Sequence, residues 1–260
     1  MKCEYYYIGR VPIAVSDYGK TIEYLHNTIM NGGKGYVCVS NMRTVTFANE
    51  DNKYFQTMEQ SLLNVPDGTP LVWCSRWWGL KNAHRVCGPI LFEKMLADKE
   101  HGFKHFFLGD TDETLIALTK KIEEDDIAFV AGKYSPPFKP LEEYDFEGIA
   151  RMIKDSGANV VWTSLRAPKQ DYLGQTLAPL LNDGTVIVGV GAAFRAYLGE
   201  LKVTDGGILQ KIGLGGLTMV RNDAKFWTEL KWYIKHTLVL IGFFCSIKWR
   251  KMKGVKPDKV

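Results

Sequence analysis

The sequence lacks several features that would place it in a specialised class of protein. Its 260 residues carry a net charge of only +4, so the chain is no general polyanion binder, and we expect no nucleic-acid partner. Its five cysteines form no C-x-x-C pair and have no histidine at zinc spacing, which predicts reduced thiols in a cytoplasmic protein. The longest apolar run, Thr237–Ile247, is far shorter than the roughly 20 residues that a membrane-spanning helix needs.

The chain also shows no internal repeat and no low-complexity linker. Glu4 and Arg10 interrupt the N-terminal apolar residues, so we expect no secretory signal there. With 46% hydrophobic residues, the sequence has enough apolar material for a sizeable core. These features together predict a globular protein with one main domain and room for an appendage.

Short apolar segments alternate with amphipathic helical segments over the first 201 residues. Six of them are predicted strands: Gly35–Ser40, Leu62–Val65, Lys104–Leu108, Ile127–Ala131, Ala158–Ser164 and Val186–Val190. The predicted helices are Arg43–Ala48, Asn52–Ser61, Thr69–Trp78, Ile90–Ala97, Asp112–Glu123, Glu142–Ser156, Gln170–Leu181 and Ala192–Leu198. This alternation predicts an α/β fold with a Rossmann-like parallel sheet and helices on both faces. We place a domain boundary after Leu201, with a core of residues 1–201 and a helical appendage of residues 202–260.

An aspartate follows one of these strands at a position suited to chemistry. In the segment NVPDGTPLVW (Asn64–Trp73), a sharp turn at Pro66–Gly68 separates the strand from the next predicted helix. Asp67 should therefore lie at the carboxyl end of the sheet, where ligands bind in open α/β folds. A carboxylate there could act as a general base. The alternative is that Asp67 only turns the chain or caps the helix.

A glycine-rich turn, GVGAAF (Gly189–Phe194), follows the last predicted strand. Glycine at positions 189 and 191 allows close approach of the main chain to a diphosphate. The G-x-G-x-x-G fingerprint of nicotinamide enzymes needs a third glycine where Phe194 stands, and it normally follows the first strand. A nicotinamide-dependent oxidoreductase is therefore an alternative that the sequence does not favour.

Five segments occur in the order and spacing of one enzyme family: NVPDGTPLVW, HRVCGPILF (His84–Phe92), FFLGDTDETL (Phe106–Leu115), RAPKQ (Arg166–Gln170) and GVGAAF. On these motifs the chain resembles the WecG/TagA/CpsF glycosyltransferases, family 26, across nearly its whole length. The resemblance implies an inverting, metal-independent hexosyltransferase without a cofactor. Such an enzyme moves a sugar from a UDP-sugar to a polyprenyl-diphosphate-linked saccharide in bacterial cell-surface or exopolysaccharide synthesis.

The resemblance also implies roles for individual residues, with Asp67 as the catalytic base. The substrate-binding residues would be Asn41, Thr44, Arg85, Lys169 and Gln170; the nucleotide-binding residues Gly109, Gly189, Gly191 and Phe194; and the residues for the acceptor diphosphate Arg221 and Lys225. Some positions depart from the family pattern. Glycine is common where Arg166 stands, Gly or Ser is frequent in place of Asp110, and an acidic residue is typical at Ile90.

Two of these motifs have a competing interpretation. Asp110-Thr111-Asp112 matches the D-x-D metal site of other glycosyltransferases, but such residues also suit a helix cap and first turn, so we expect no metal site. Arg85 is either a phosphate ligand or a surface arginine.

The C-terminal segment 225–250 mixes aromatic with basic residues, and no acidic residue occurs between Lys231 and Lys256. This composition suits a helix in the headgroup layer of an anionic membrane, at the inner face of the cell membrane. The alternatives are a helix packed on the core or in a homo-oligomer interface. A catalytically silent, membrane-associated module that binds nucleotide-sugars is a further alternative for the whole chain.

Overall fold

A computed structural model describes residues 3–201 and 223–256 of the chain, and between 223 and 237 it describes the backbone alone. The strands are β1 (Tyr5–Ile8), β2 (Val11–Ala14), β3 (Gly35–Ser40), β4 (Leu63–Pro66), β5 (Lys104–Gly109), β6 (Phe129–Tyr134), β7 (Val160–Ser164) and β8 (Val186–Gly189). The helices are α1 (Tyr18–Met30), α2 (Met42–Glu50), α3 (Asn52–Glu59), α4 (Thr69–Trp78), α5 (Gly88–Leu96), α6 (Asp112–Glu124), α7 (Phe146–Ser156), α8 (Lys169–Leu177), α9 (Ala193–Tyr197) and α10 (Asp223–Met252). Short 3₁₀ turns occupy Leu141–Glu143 and Ala178–Leu180.

The six predicted strands form one parallel sheet in the order β4-β3-β8-β7-β5-β6. The α/β prediction is therefore confirmed. The chain enters the sheet at β3, adds β4 on one side and then crosses to β5 and β6 at the far side. Connections that diverge in this way open a crevice at the carboxyl ends of the central strands, where α/β proteins bind their ligands.

Alternation of side chains along the strands explains why helices cover both faces of the sheet. In β7, Val160 and Trp162 join the apolar cluster beneath α5, α6 and α9, whereas Val161 joins the cluster beneath α7 and α8. Ile187 of β8 likewise points away from Val186 and Val188. Strands that are apolar at every position must be buried on both faces, as the sequence predicted.

The structure adds three elements at the N-terminus that the sequence pattern did not predict, two strands and a helix. Strands β1 and β2 form an antiparallel hairpin through a turn at Gly9, which has φ of +63°. Pro12 lies within β2, where it is tolerated because both strands of a two-stranded sheet are edges. Helix α1 follows, with the Asp17 side chain accepting a hydrogen bond from the Lys20 N–H at its N-cap.

The long helix α10 packs against α4 and α2. Val239, Leu240, Phe243 and Ile247 lie in the apolar cluster that also contains the hairpin residues. The ring of Phe244 lies edge-on to that of Trp77, with 4.5 Å between ring centroids. One face of α10 is therefore part of the folded body.

Candidate active site

The loops that follow the strands bring the predicted site residues to one edge of the sheet. Asp67 follows β4, Asn41 follows β3, Gly191 follows β8, Arg166 follows β7 and Asp110 follows β5. Across the sheet from β4 to β5, they lie in the order Asp67, Asn41, Gly191, Arg166 and Asp110. Asn41 and Gly191 are 150 positions apart in the sequence, but they follow the paired strands β3 and β8 and thus share one crevice.

Asp67 is held by main-chain and side-chain contacts at this edge. Its N–H donates to the Ser40 carbonyl at 2.7 Å, which ties the end of β4 to that of β3. The Arg85 guanidinium donates to both the carbonyl and the carboxylate of Asp67, with an Nη2–Oδ1 distance of 3.1 Å. The N-cap of α4 is Gly68, so Asp67 does not occupy the capping position. Its carboxylate is ion-paired and 25% exposed, which leaves it reachable by a substrate.

A cysteine that the sequence analysis did not single out lies against this ion pair. Cys87 is 3% exposed, and burial raises the pKa of its thiol, an effect to which the neighbouring Asp67 carboxylate adds. The thiol is therefore protonated at neutral pH and hydrogen-bonds to the Asp67 side chain. No motif marks such a contact, because residues 67 and 87 approach only through folding.

Asn41 and Thr44 form a capping box at the start of α2. The Asn41 side-chain oxygen accepts from the N–H groups of Arg43 and Thr44, at 2.9 and 3.3 Å. The Thr44 hydroxyl in turn accepts from the Asn41 N–H at 3.0 Å. Asn41 is exposed, and its Oδ1 is the atom engaged in the cap.

The glycine turn after β8 is built around Gln170. The Gly191 N–H donates to the Gln170 side-chain oxygen at 3.0 Å, and the Ser164 hydroxyl donates to the Gly191 carbonyl. A Cβ atom on Gly189 would lie 2.8 Å from the Gln170 amide nitrogen, so a larger residue there would displace the Gln170 side chain. Gln170 is only 4% exposed. In this arrangement Gln170 shapes the turn, and the N–H groups that a ligand could reach are those after Gly191.

Three other predicted residues offer no side chain to a nucleotide at this edge in the described structure. Phe194 is fully buried against the rings of Phe92 and Phe107, so only its main chain could contact a nucleotide. Lys169 donates to the Lys139 carbonyl at 2.8 Å and lies over the Tyr144 ring. Gly109 adopts φ of +107° at the end of β5.

A buried carboxylate lies one residue beyond Gln170. Asp171 is 3% exposed and accepts a hydrogen bond from the Tyr54 hydroxyl of α3. Burial raises its pKa to about 6, against the lowering effect of hydrogen bonds from Tyr54, Cys38 and Gln170. The sequence analysis missed Asp171 because an acidic residue in the first turn of a helix is ordinary.

The D-x-D segment is occupied by an ion pair and a helix start. Asp110 receives the Arg195 guanidinium at 2.7 to 3.1 Å, and Thr111 is the N-cap of α6. Burial alone would raise the pKa of Asp110, but the hydrogen bonds and charge of Arg195 outweigh it and hold the pKa below its ordinary value. Across residues 3–201 and 223–256, no group of three His, Cys, Asp or Glu side chains is arranged to hold a metal ion.

The predicted acceptor residues cannot be placed. Arg221 lies outside the described residues, and Lys225 lies in α10 where the side chains are not described. Among the helices in the described ranges, none combines the length and apolar character needed to cross a bilayer. Beyond its packed face, α10 exposes Leu238, Ile241, Trp249 and Met252, each more than half accessible.

Comparison with known proteins agrees with this architecture. A family model described as the glycosyl transferase WecG/TagA/CpsF family matches residues 6–244. An N-acetylglucosaminyldiphosphoundecaprenol N-acetyl-beta-D-mannosaminyltransferase of Bacillus subtilis (strain 168) is 23% identical over 197 residues, which is 75% of each chain. A protein of the same name from Staphylococcus aureus (strain NCTC 8325 / PS 47) is 26% identical over 171 residues, 64% of each chain.

Proposed function

The chain belongs to the WecG/TagA/CpsF family of glycosyl transferases, and from this premise we propose that it transfers one sugar from a UDP-sugar to a polyprenyl-diphosphate-linked saccharide. The transfer inverts the anomeric centre, uses no metal, and serves bacterial cell-surface or exopolysaccharide synthesis. The names of the relatives support an acceptor of this class, since both specify a sugar linked to undecaprenol through a diphosphate. The observation that carries the proposal is the reachable carboxylate of Asp67 on the same sheet edge as the glycine turn.

Asp67 would act as the general base. An acceptor hydroxyl oxygen attacks the anomeric carbon, the bond from that carbon to the UDP oxygen breaks, and UDP leaves with the bonding electron pair. The hydroxyl proton passes to a carboxylate oxygen of Asp67. Arg85, which contacts both the main chain and the carboxylate of Asp67, fixes the position of the base. General-base catalysis of this kind contributes about 10²- to 10⁴-fold to a rate.

The leaving UDP needs positive charge or aligned N–H groups, because its charge grows as the bond breaks. The main chain after Gly191 supplies N–H groups at the edge, and Gln170 holds the turn in the conformation that presents them. Arg166, exposed at the end of β7, adds a cation beside this turn. The side chains of Asn41 and Thr44 would contact the sugar from the neighbouring strand β3.

We propose further that α10 holds the enzyme on the inner face of the cell membrane. Its exposed apolar residues Leu238, Ile241 and Trp249 stand beside basic residues, and the chain from Lys231 to Lys256 has no acidic residue. A groove of about 420 Å³ between Trp77 and α10 is rimmed by Lys248 and Lys251. Aromatic and basic side chains together favour the headgroup layer of anionic lipid. Arg221 and Lys225 would then meet the acceptor diphosphate.

The decisive experiment replaces Asp67 by asparagine, which keeps an acceptor for Arg85 but cannot take the proton. Turnover with a lipid-linked acceptor should fall about 10²- to 10⁴-fold, whereas UDP affinity should stay close to that of the wild type. The matched control is Asp183→Asn, because Asp183 is a carboxylate that is 78% exposed and paired with Lys34.

Wild-type turnover in Asp67→Asn would refute the assignment of the base. Binding of UDP without transfer to any lipid-linked saccharide would favour the catalytically silent module instead. Tight binding of a nicotinamide nucleotide in place of UDP would favour an oxidoreductase.

A further inference from the structure

A three-contact ion pair joins two segments that follow different strands at the site. Asp110 follows β5, and Arg195 lies in α9, which follows β8. Strand β7 runs between β5 and β8 in the sheet, so the pair spans the carboxyl end of β7. The Arg195 Nε lies 3.1 Å from each carboxylate oxygen, and its Nη2 lies 2.7 Å from Oδ1.

The main chain at Asp110 adopts a left-handed conformation where it forms this pair. Asp110 has φ of +61°, in the left-handed region that residues other than glycine rarely adopt. The Ser135 hydroxyl donates to its carbonyl at 2.8 Å, and its carboxylate accepts from the Thr111 N–H at 3.0 Å. Strain of this kind persists where surrounding contacts impose it, and it concentrates at functional sites.

The ion pair leaves much of the guanidinium available. A guanidinium carries five N–H donors, and Asp110 engages only the Nε and Nη2 atoms of Arg195. Within the residues that the structure describes, Nη1 makes no hydrogen bond or ion pair. The Arg195 side chain is 45% exposed, whereas that of Asp110 is 8% exposed. The buried carboxylate thus fixes one side of the fork and leaves the other side open.

We propose that Arg195 binds the diphosphate of the nucleotide-sugar donor and that Asp110 is its positioning residue. Arg195 stands four residues after Gly191, at the turn where the proposed function places the diphosphate, and the inference rests on that function. A planar guanidinium can bind phosphate oxygens with two parallel hydrogen bonds. Asp110 lowers the entropic cost of binding because it holds the Arg195 side chain in place before the ligand arrives.

The experiment compares the affinities of UDP and uridine by isothermal titration calorimetry. Arg195→Gln should raise the Kd for UDP about ten- to one hundred-fold, since hydrogen bonds to charged groups are lost. The Kd for uridine, which has no phosphate, should be unchanged. Asp110→Asn, which tolerates the left-handed conformation, should raise the Kd for UDP by a smaller factor and again leave that for uridine unchanged. Lys121→Gln is the matched control. Lys121 donates at 2.8 Å to the carbonyl of Tyr197, which lies in α9 together with Arg195.

Arg195→Gln leaves a nearly buried carboxylate without its partner, so the double variant Asp110→Asn/Arg195→Gln guards against unfolding. Both sites are then neutral, and the loss of UDP affinity should remain. Equal loss of UDP and uridine affinity would show a purely structural role for the pair and overturn the inference. Wild-type UDP affinity in Arg195→Gln would overturn it too, while leaving the proposed function intact. Failure of the wild-type protein to bind UDP would overturn both.

Discussion

Replacement of Asp171 by asparagine should change how the stability of the protein depends on pH. The Asp171 carboxyl is buried, and burial raises its pKa from 3.8 to about 6. A group with a raised pKa in the folded state binds protons more tightly there than in the unfolded chain. Its contribution to stability is therefore complete below pH 3.8 and is lost as the pH rises through 6.

The pKa difference sets the size of the effect. The step from 3.8 to about 6 corresponds to about 3 kcal/mol, because one pKa unit is 1.36 kcal/mol. Most of this difference falls between pH 4 and pH 7, within reach of measurement. Asparagine does not titrate, and its side-chain oxygen can still accept from the Tyr54 hydroxyl. From pH 4 to pH 7, the free energy of unfolding of Asp171→Asn should therefore rise relative to that of the wild type by roughly 2 to 3 kcal/mol.

Urea denaturation at several pH values, followed by tryptophan fluorescence, measures this difference. Comparison of two proteins that differ at one residue cancels the contributions of all other titrating groups. Asp183→Asn serves as the control, since Asp183 is 78% exposed. A wild type and an Asp171→Asn variant whose stability curves run parallel across this pH range would refute the reasoning.

Three other expectations follow from the site and its surroundings. Burial lowers the pKa of His105 from 6.5 to about 4, so its contribution to stability, about 3 kcal/mol, is lost as the pH falls from 6.5 to 4. His105→Gln keeps an acceptor for the Trp162 indole N–H. Its free energy of unfolding, measured by urea denaturation, should change less with pH over that range than that of the wild type, and an equal change would contradict the assignment. Transfer activity should survive excess EDTA; its abolition by EDTA and rescue by Mn²⁺ would show that metal independence is wrong. The triple variant Leu238→Ser/Ile241→Ser/Trp249→Ser should sediment less with anionic vesicles than the control Met30→Ser/Ile116→Ser/Phe129→Ser, which removes equally exposed apolar residues elsewhere. Equal sedimentation would mean that α10 serves as an oligomer interface or is structural only.

The sequence predicted the sheet well because each strand carries its own local signal. Runs such as Gly35–Ser40 are apolar at consecutive positions and bounded by turn residues, so burial on both faces can be read without tertiary information. The position of Asp67 followed from the same logic, since a turn directly after such a strand must lie at the carboxyl edge. The hairpin was missed because Pro12 argues against a strand unless the strand is an edge.

Contacts between distant residues explain what the sequence could not predict. Asp171 is buried only because Tyr54 and Cys38 come from other elements to cover it. The Cys87 thiol meets Asp67, and Arg195 meets Asp110, across loops whose geometry no local pattern specifies. Gln170 was predicted as a ligand contact through the family resemblance, whereas its hydrogen bond to Gly191 is a feature of the fold. Whether it also touches the donor stays a prediction.

Helix α10 is apolar on two sides, one packed against the folded body and one exposed, and different properties of the protein depend on each side. Ile247, at 3% exposed, faces the folded body, so a polar residue there would destabilise the folded protein. Ile241 and Trp249, each 53% exposed, contribute little to that packing, so folding alone would let them drift toward polar residues. Substitutions on the packed side of the helix should consequently change the amount of folded protein in the cell. Substitutions on the exposed side should change its function. Variation along α10 in natural populations would therefore separate selection for a stable protein from selection for what the exposed side meets.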